Sequence, residues 1–166
     1  MRILFLSRWN PYPPDNGSKI RVFSLLRGLC ERHDVTLISF CSPAEKAVDP
    51  PPPGPRPSEI HLCPYREFEP ESSRALLGFL SSTPRYLVDT HNPEMESLID
   101  QALRHTKYDL VIASQLSMAA YYRSFRGIPA IFEEVELGIY WPGSTQGGSP
   151  CTRFRRGIPW AKHRRF

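Results

Sequence analysis

Asn16, Gly17 and Ser18 stand just ahead of Lys19 and Arg21 in the stretch SRWNPYPPDNGSKIR. A glycine in such a place lets the backbone come close to a ligand. If a helix follows, its free N–H groups and positive dipole end favour a phosphate. Lys19 and Arg21 are then placed either to add charge or to lie in solvent as first-turn side chains. A plain tight turn uses the same residue types, because Asn and Gly are common in turns for conformational reasons alone. The stretch carries neither G-x-G-x-x-G nor GK[ST].

Two other clusters could do chemistry. Glu133, Glu134 and Glu136 gather in the segment EEVE. Side chains alternate along an extended chain, so Glu134 and Glu136 face one way and Glu133 the other. Two carboxylates sharing a cleft could hydrogen-bond sugar hydroxyls or act as bases if burial raised a pKa; a solvated acidic loop has the same composition. Ser114 and Gln115 suit hydrogen bonding to hydroxyls, and Ser114 is also a ready helix cap. His33, His61, His91, His105 and His163 are scattered, with no HExxH pattern and no Ser-His-Asp order, so no metal site is expected.

These residues need elements to bring them together. Ile3 to Leu6 is a continuous apolar run, as in a strand covered on both faces. Val22, Leu25, Leu26, Leu29 and Cys30 recur at helical spacing, which predicts a helix from Ser18 to about Arg32 with Asn16 or Ser18 as its cap. Val35 to Phe40 closes a strand–helix–strand unit. Further along, SEIHLC predicts a strand, and Ser72 to Leu80 a helix carrying Leu76, Leu77, Phe79 and Leu80 and stopped by Pro84. Pro93 opens a helix to about His105. YDLVIAS predicts a strand, QLSMAAYYRSF a helix capped by Ser114, and Ala130 to Phe132 a last strand. Strands alternating with helices predict an α/β fold: a Rossmann-like open, mostly parallel sheet with helices on both faces. In such sheets ligands bind beyond the carboxyl ends of the strands, where all three clusters fall.

Composition sets the outer limits. The 166 residues, 40% hydrophobic and 23% charged, fit one core and one domain. The 18 prolines are about twice the usual share. Many lie at about 43–57 in SPAEKAVDPPPPGPRP, a stiff polyproline excursion without hydrophobic periodicity. The net charge of +4 comes from the end of the chain: six of the 21 basic residues, and no acid, lie from Thr152 onward. The remainder is slightly acidic and proposes no nucleic-acid partner. Cys30, Cys41, Cys63 and Cys151 lack close metal-type spacing and are expected to be reduced thiols. The opening apolar run is too short for a signal or membrane segment.

The first forty residues, with PYPPDNG, a basic residue and Arg on the first helix, and then HDVTLISF, resemble the opening of family 4 glycosyltransferases. These are retaining enzymes of the GT-B superfamily. The resemblance continues through YDLVIAS and IPAIFEEVE. It implies the N-terminal, acceptor-side domain of an enzyme that moves a sugar from a nucleotide-sugar donor to a polysaccharide or glycolipid of the cell envelope. The nucleotide-sugar is a substrate, and no cofactor is implied.

By that resemblance residues 1–136 form the domain, and 137–166 are an irregular segment and basic tail that begin a linking helix. Asn16, Gly17 and Ser18, with Arg21 beside them, line the cleft floor near the donor phosphates. Ser114 and Gln115 lie on the acceptor side. Glu134 and Glu136 fall where many members carry a histidine that contacts the donor sugar, and they are the candidate catalytic groups. The family's donor-binding C-terminal domain, with its carboxylate pair, has no counterpart here, so independent activity is not expected. Two other readings fit: a non-catalytic Rossmann-like module for a nucleotide or phosphosugar, and a membrane-surface adaptor using the tail. In the tail Phe154, Ile158 and Trp160 lie among Arg153, Arg155, Arg156, Lys162, Arg164 and Arg165, a composition suited to an anionic membrane. The location expected is the cytoplasm, with the inner face of the cell membrane as a contact surface.

Overall fold

The computed structural model describes residues 1–42 and 53–133. The expectations for most of the Pro-rich stretch, for Glu134 and Glu136, for Cys151 and for 137–166 fall outside the described residues.

Among the described residues five strands form one all-parallel sheet in the order β3-β2-β1-β4-β5. They are β1 (Arg2–Ser7), β2 (Asp34–Cys41), β3 (Glu59–Pro64), β4 (Leu110–Ser114) and β5 (Ala130–Glu133). The apolar run of β1 divides by the pleat, since successive side chains point to opposite faces. Ile3 and Phe5 pack with Val22, Leu26, Val35 and Leu37, a cluster that includes the inner stripe of α1 (Gly17–Cys30). Leu4 and Leu6 pack with Ile38, Phe40, Val111 and Ala113, and with Met95 and Ile99 of α4 (Pro93–His105). One core therefore lies on each face, and the sheet is the α/β, Rossmann-like arrangement that the sequence pattern implies.

The helices start where local chemistry starts them. Asn16 caps α1: its side chain accepts from Lys19 N at 3.0 Å, and its carbonyl accepts from Ile20 N at 2.8 Å. Asn92 caps α4 by accepting from Glu94 N at 2.8 Å, with Pro93 at the first helical position. The Asn92 amide also donates to the carbonyl of Pro64 at 3.0 Å. That bond draws the start of α4 to the end of β3.

The described residues separate into two compact units, Met1–Tyr65 with Asn92–Glu133, and Arg66–His91. The described part of the second unit holds α2 (Ser73–Leu77) and α3 (Arg85–Thr90). The helix expected over Ser72 to Leu80 is shorter, and Pro84 precedes α3 instead of stopping it. Gly78 marks the change: a Cβ there would lie 2.8 Å from the Arg85 backbone, so the chain after α2 runs against the start of α3. A helix this short buries Ala75, while Leu76, Leu77, Phe79 and Leu80 are exposed.

At the centre of this unit is Asp89, 0% exposed. Its carboxylate accepts from Glu69 N at 2.9 Å and from the Ser72 hydroxyl, with Arg66 Nη2 at 3.6 Å. Burial alone would raise its pKa. The Ser72 and Glu69 hydrogen bonds and the Arg66 and Arg74 guanidiniums outweigh burial and hold it below the ordinary carboxylate range. Ser72 also accepts from Ala75 N at 3.0 Å, so one hydroxyl caps α2 and serves the buried charge.

A different correction applies after β4. Ser114 does not cap a helix over QLSMAAYYRSF. It is the last residue of β4, and Gln115 takes the position before α5 (Leu116–Ala119), with a 3-10 turn over Tyr122–Phe125 following. Among the described residues no helix is long and apolar enough to cross a membrane.

Candidate functional site

The sheet order reverses between β1 and β4, because the connection from β1 goes to β2 on one side and β4 lies on the other. Side chains at the carboxyl ends of these strands are therefore the ones able to share a ligand. Ser7 and Ser114 pair across β1 and β4 at that edge, and Ser114 pairs with Glu133 of β5.

After Ser7 the loop holds its own shape. Ser7 Oγ donates to the Trp9 carbonyl at 2.8 Å and accepts from Trp9 N at 3.2 Å. Asn10, 4% exposed, accepts from Tyr12 N at 3.3 Å through its side chain, and the Tyr12–Pro13 peptide is cis. These residues fix the path of the proline-rich stretch into α1.

At α1 the sequence-predicted residues separate in role. Asn16 serves the N–H groups of Lys19 and Ile20, which leaves those of Gly17 and Ser18 for other partners. Gly17 has no positive φ, and a Cβ there would meet nothing within 4 Å. Its lack of a side chain keeps open space in front of the first helical turn and is not required by the backbone. Lys19, 5% exposed, is paired with Asp15, Nζ to Oδ1 at 3.0 Å. Its charge is thus compensated on its own turn.

Arg21 reaches the far side of the edge. Its Nε donates to Glu133 Oε1 at 2.6 Å, with Nη2 at 2.5 Å from the same oxygen. Ser114 Oγ, on a residue only 1% exposed, donates to Glu133 Oε2 at 2.7 Å. Both carboxylate oxygens of Glu133 are therefore bound, and α1, β4 and β5 are tied together at one point. Among the described residues the carboxylate that joins these strand ends is that of Glu133, the last residue of β5. The sequence signal for it is its place at a strand end level with Ser114, which becomes visible once the register is known.

Gln115 sits one residue beyond Ser114 with φ 75° and ψ 152°, a conformation that L-residues rarely adopt. Its N–H donates to the Glu133 carbonyl at 2.7 Å, and its carbonyl accepts from Met118 N at 2.9 Å, so both backbone groups hold it there. Its side-chain Oε1 is buried and has no hydrogen-bond partner.

Sequence reading passed over Arg8. It follows Ser7 directly, with its guanidinium carbon 4.7 Å from the centre of the Trp9 ring and 5.1 Å from that of Tyr65. Its Nη2 donates to Tyr65 Oη at 2.8 Å. Tyr65 follows the last residue of β3, so its partnership with Arg8 spans two strand ends and leaves no trace in local spacing.

Among the described residues neither the thiols nor the acids form a second centre. Burial, with Asp34 adding to it, pushes the Cys30 thiol up to about 11, well away from a reactive thiolate. Cys30, Cys41 and Cys63 form no disulfide with one another. Among the described residues no group of three or more His, Cys, Asp or Glu could hold a metal ion. No protein-family model matches the chain, and no curated protein matches it.

Proposed function

We propose that this chain forms the acceptor-side wall of a retaining glycosyltransferase, working with a donor domain that binds a nucleotide-sugar. The observation that carries the reading is the open space at Gly17. It lies at the first turn of α1, beyond the end of the central strand of a parallel sheet ordered β3-β2-β1-β4-β5. With the likeness of PYPPDNG and HDVTLISF to family 4 enzymes, this supports a cleft floor where the N–H groups of Gly17 and Ser18 meet a donor phosphate. Gln115 follows β4, across the switch point from the loop that leads to that turn, which supports its assignment to the acceptor. Transfer needs donor and acceptor held together in attack geometry, which one wall does not supply, so the chain alone is inactive in this reading.

Calorimetric titration with UDP-glucose and GDP-mannose tests it. The expected result is weak or absent binding to this chain alone, and at least a tenfold gain when a GT-B donor domain is fused after it. Replacing Gly17 by Val should remove that gain. Tight binding of either nucleotide-sugar to the chain alone, unchanged by the fusion, would overturn the reading in favour of a free-standing nucleotide-binding module.

A further inference from the structure

Arg8 and Gln115 each stand one residue beyond a register pair, Ser7 and Ser114, on the two strands that flank the switch point. Both carry buried polar atoms without a partner: Nε of Arg8, a donor, and Oε1 of Gln115, an acceptor. No carboxylate pairs with Arg8 among the described residues, and its one hydrogen bond goes to a tyrosine hydroxyl. Trp9 and Tyr65 flank the guanidinium. The rings stabilise a cation but do not neutralise it.

A partly buried charge without a counter-ion, and buried donors and acceptors without partners, are costly and uncommon in folded proteins. The neighbouring cations are already matched, Lys19 by Asp15 and Arg21 by Glu133. Among the described residues Arg8 is therefore a cation without a carboxylate partner at this end of the central strands, and the neighbouring strand β4 is followed by an unmatched acceptor, Gln115 Oε1, on a strained backbone.

We propose that Arg8 and Gln115 recognise a ligand carrying one singly charged oxyanion next to a hydroxyl group. The oxyanion accepts from the Arg8 guanidinium, whose planar donor set suits carboxylate and phosphate oxygens. The hydroxyl donates to Gln115 Oε1. A single guanidinium matches a single negative charge, which selects a carboxylate or a phosphodiester. A sugar acid and a sugar phosphodiester both present that charge beside ring hydroxyls. Under the transferase reading, on which this assignment to the acceptor rests, the acceptor is an acidic saccharide or a sugar phosphodiester. The binding preference itself is measured on the chain alone, so it fails or survives separately from transfer.

The test is calorimetric titration of the full chain with three probes that share one ring: glucuronate, the methyl phosphodiester of glucose 1-phosphate, and neutral methyl glucoside. At least one anionic probe should bind tenfold or more tightly than methyl glucoside, and which one does so names the source of the charge. Arg8→Gln should abolish that preference, and Gln115→Gly should weaken the preferred probe about threefold or more. Arg104→Gln, which removes one exposed charge near the end of α4, should change nothing. If Arg8→Gln does not fold, phenylglyoxal labelling of the wild-type chain replaces it, with the preferred probe slowing modification of Arg8 and not of Arg104. Equal binding of charged and neutral probes, a preference that persists in Arg8→Gln, or unprotected Arg8 would each overturn the proposal.

Discussion

Arg21 and Arg8 stand at the same edge of one sheet, and their surroundings differ in the way that separates structure from recognition. Arg21 reaches a carboxylate whose second oxygen is taken by Ser114, so charge and hydrogen bonds close on themselves across α1, β4 and β5. Arg8 has two aromatic rings and a tyrosine hydroxyl, and its Nε is buried without an acceptor. A closed network holds elements together. An open one is left with capacity for something that is not part of the fold. Asp89 in the second unit is a further closed case, a buried carboxylate with donors around it.

Breaking the closed networks should cost stability, in proportion to burial. The largest effect is expected at Asp89: Asp89→Ala, read by amide deuterium exchange in α2 and α3, should destabilise that unit by about 3 kcal/mol, because it strips a buried charge from its partners. The pH dependence has a definite sign. A carboxylate held below its ordinary pKa stabilises the fold fully above the unfolded value, near 4, and this is lost as pH falls through the folded value. Protection of the α2 and α3 amides, taken relative to the intrinsic exchange rate at each pH, should therefore fall on acidification in the wild type, and Asp89→Asn should flatten that response. An unaltered response would remove Asp89 from the set of stabilising charges.

Glu133→Ala comes next. It leaves the buried Ser114 hydroxyl without its acceptor and frees Arg21, and urea unfolding should register a loss of about 2 kcal/mol. Arg21→Gln should cost less, since Arg21 is half exposed.

The open side should respond in the opposite direction. Gln115→Gly relieves a positive φ and removes an unmatched buried acceptor, so it should stabilise the chain by about 1 kcal/mol while weakening ligand binding. A gain in melting temperature together with a loss of binding is the mark of a residue retained for recognition. The smallest effect is expected at Gly17→Ala. Its backbone is ordinary and the space before it is open, so a gain of about 0.5 kcal/mol in urea unfolding is expected.

Much of this molecule was legible in sequence because local signals and burial agree. The run from Ile3 to Leu6 is buried on both faces, and Asn16 and Asn92 cap the helices that they precede. The expectation failed where local pattern and tertiary geometry diverge. Leu76, Leu77, Phe79 and Leu80 have helical spacing, yet the chain turns at Gly78 to meet Arg85 and leaves them exposed. Ser114 has the composition of a cap, but the β4–β5 register sets it level with Glu133, which takes its hydroxyl. The same holds for the site. Gly17, Ser114, Gln115 and Glu133 are candidates by their types and places, whereas the contacts Arg21–Glu133 and Arg8–Tyr65 join residues 112 and 57 positions apart.

The contrast between the two arginines can be measured in one experiment. Nitrogen-15 spectra resolve arginine Nε–H groups, and titration of the labelled full chain with glucuronate and the glucose phosphodiester follows Arg8 and Arg21 together. The account predicts a saturable shift of the Arg8 Nε–H with at least one anionic probe, none with methyl glucoside, and an Arg21 signal that stays where Glu133 holds it. A shift of Arg21 with Arg8 unmoved would contradict it.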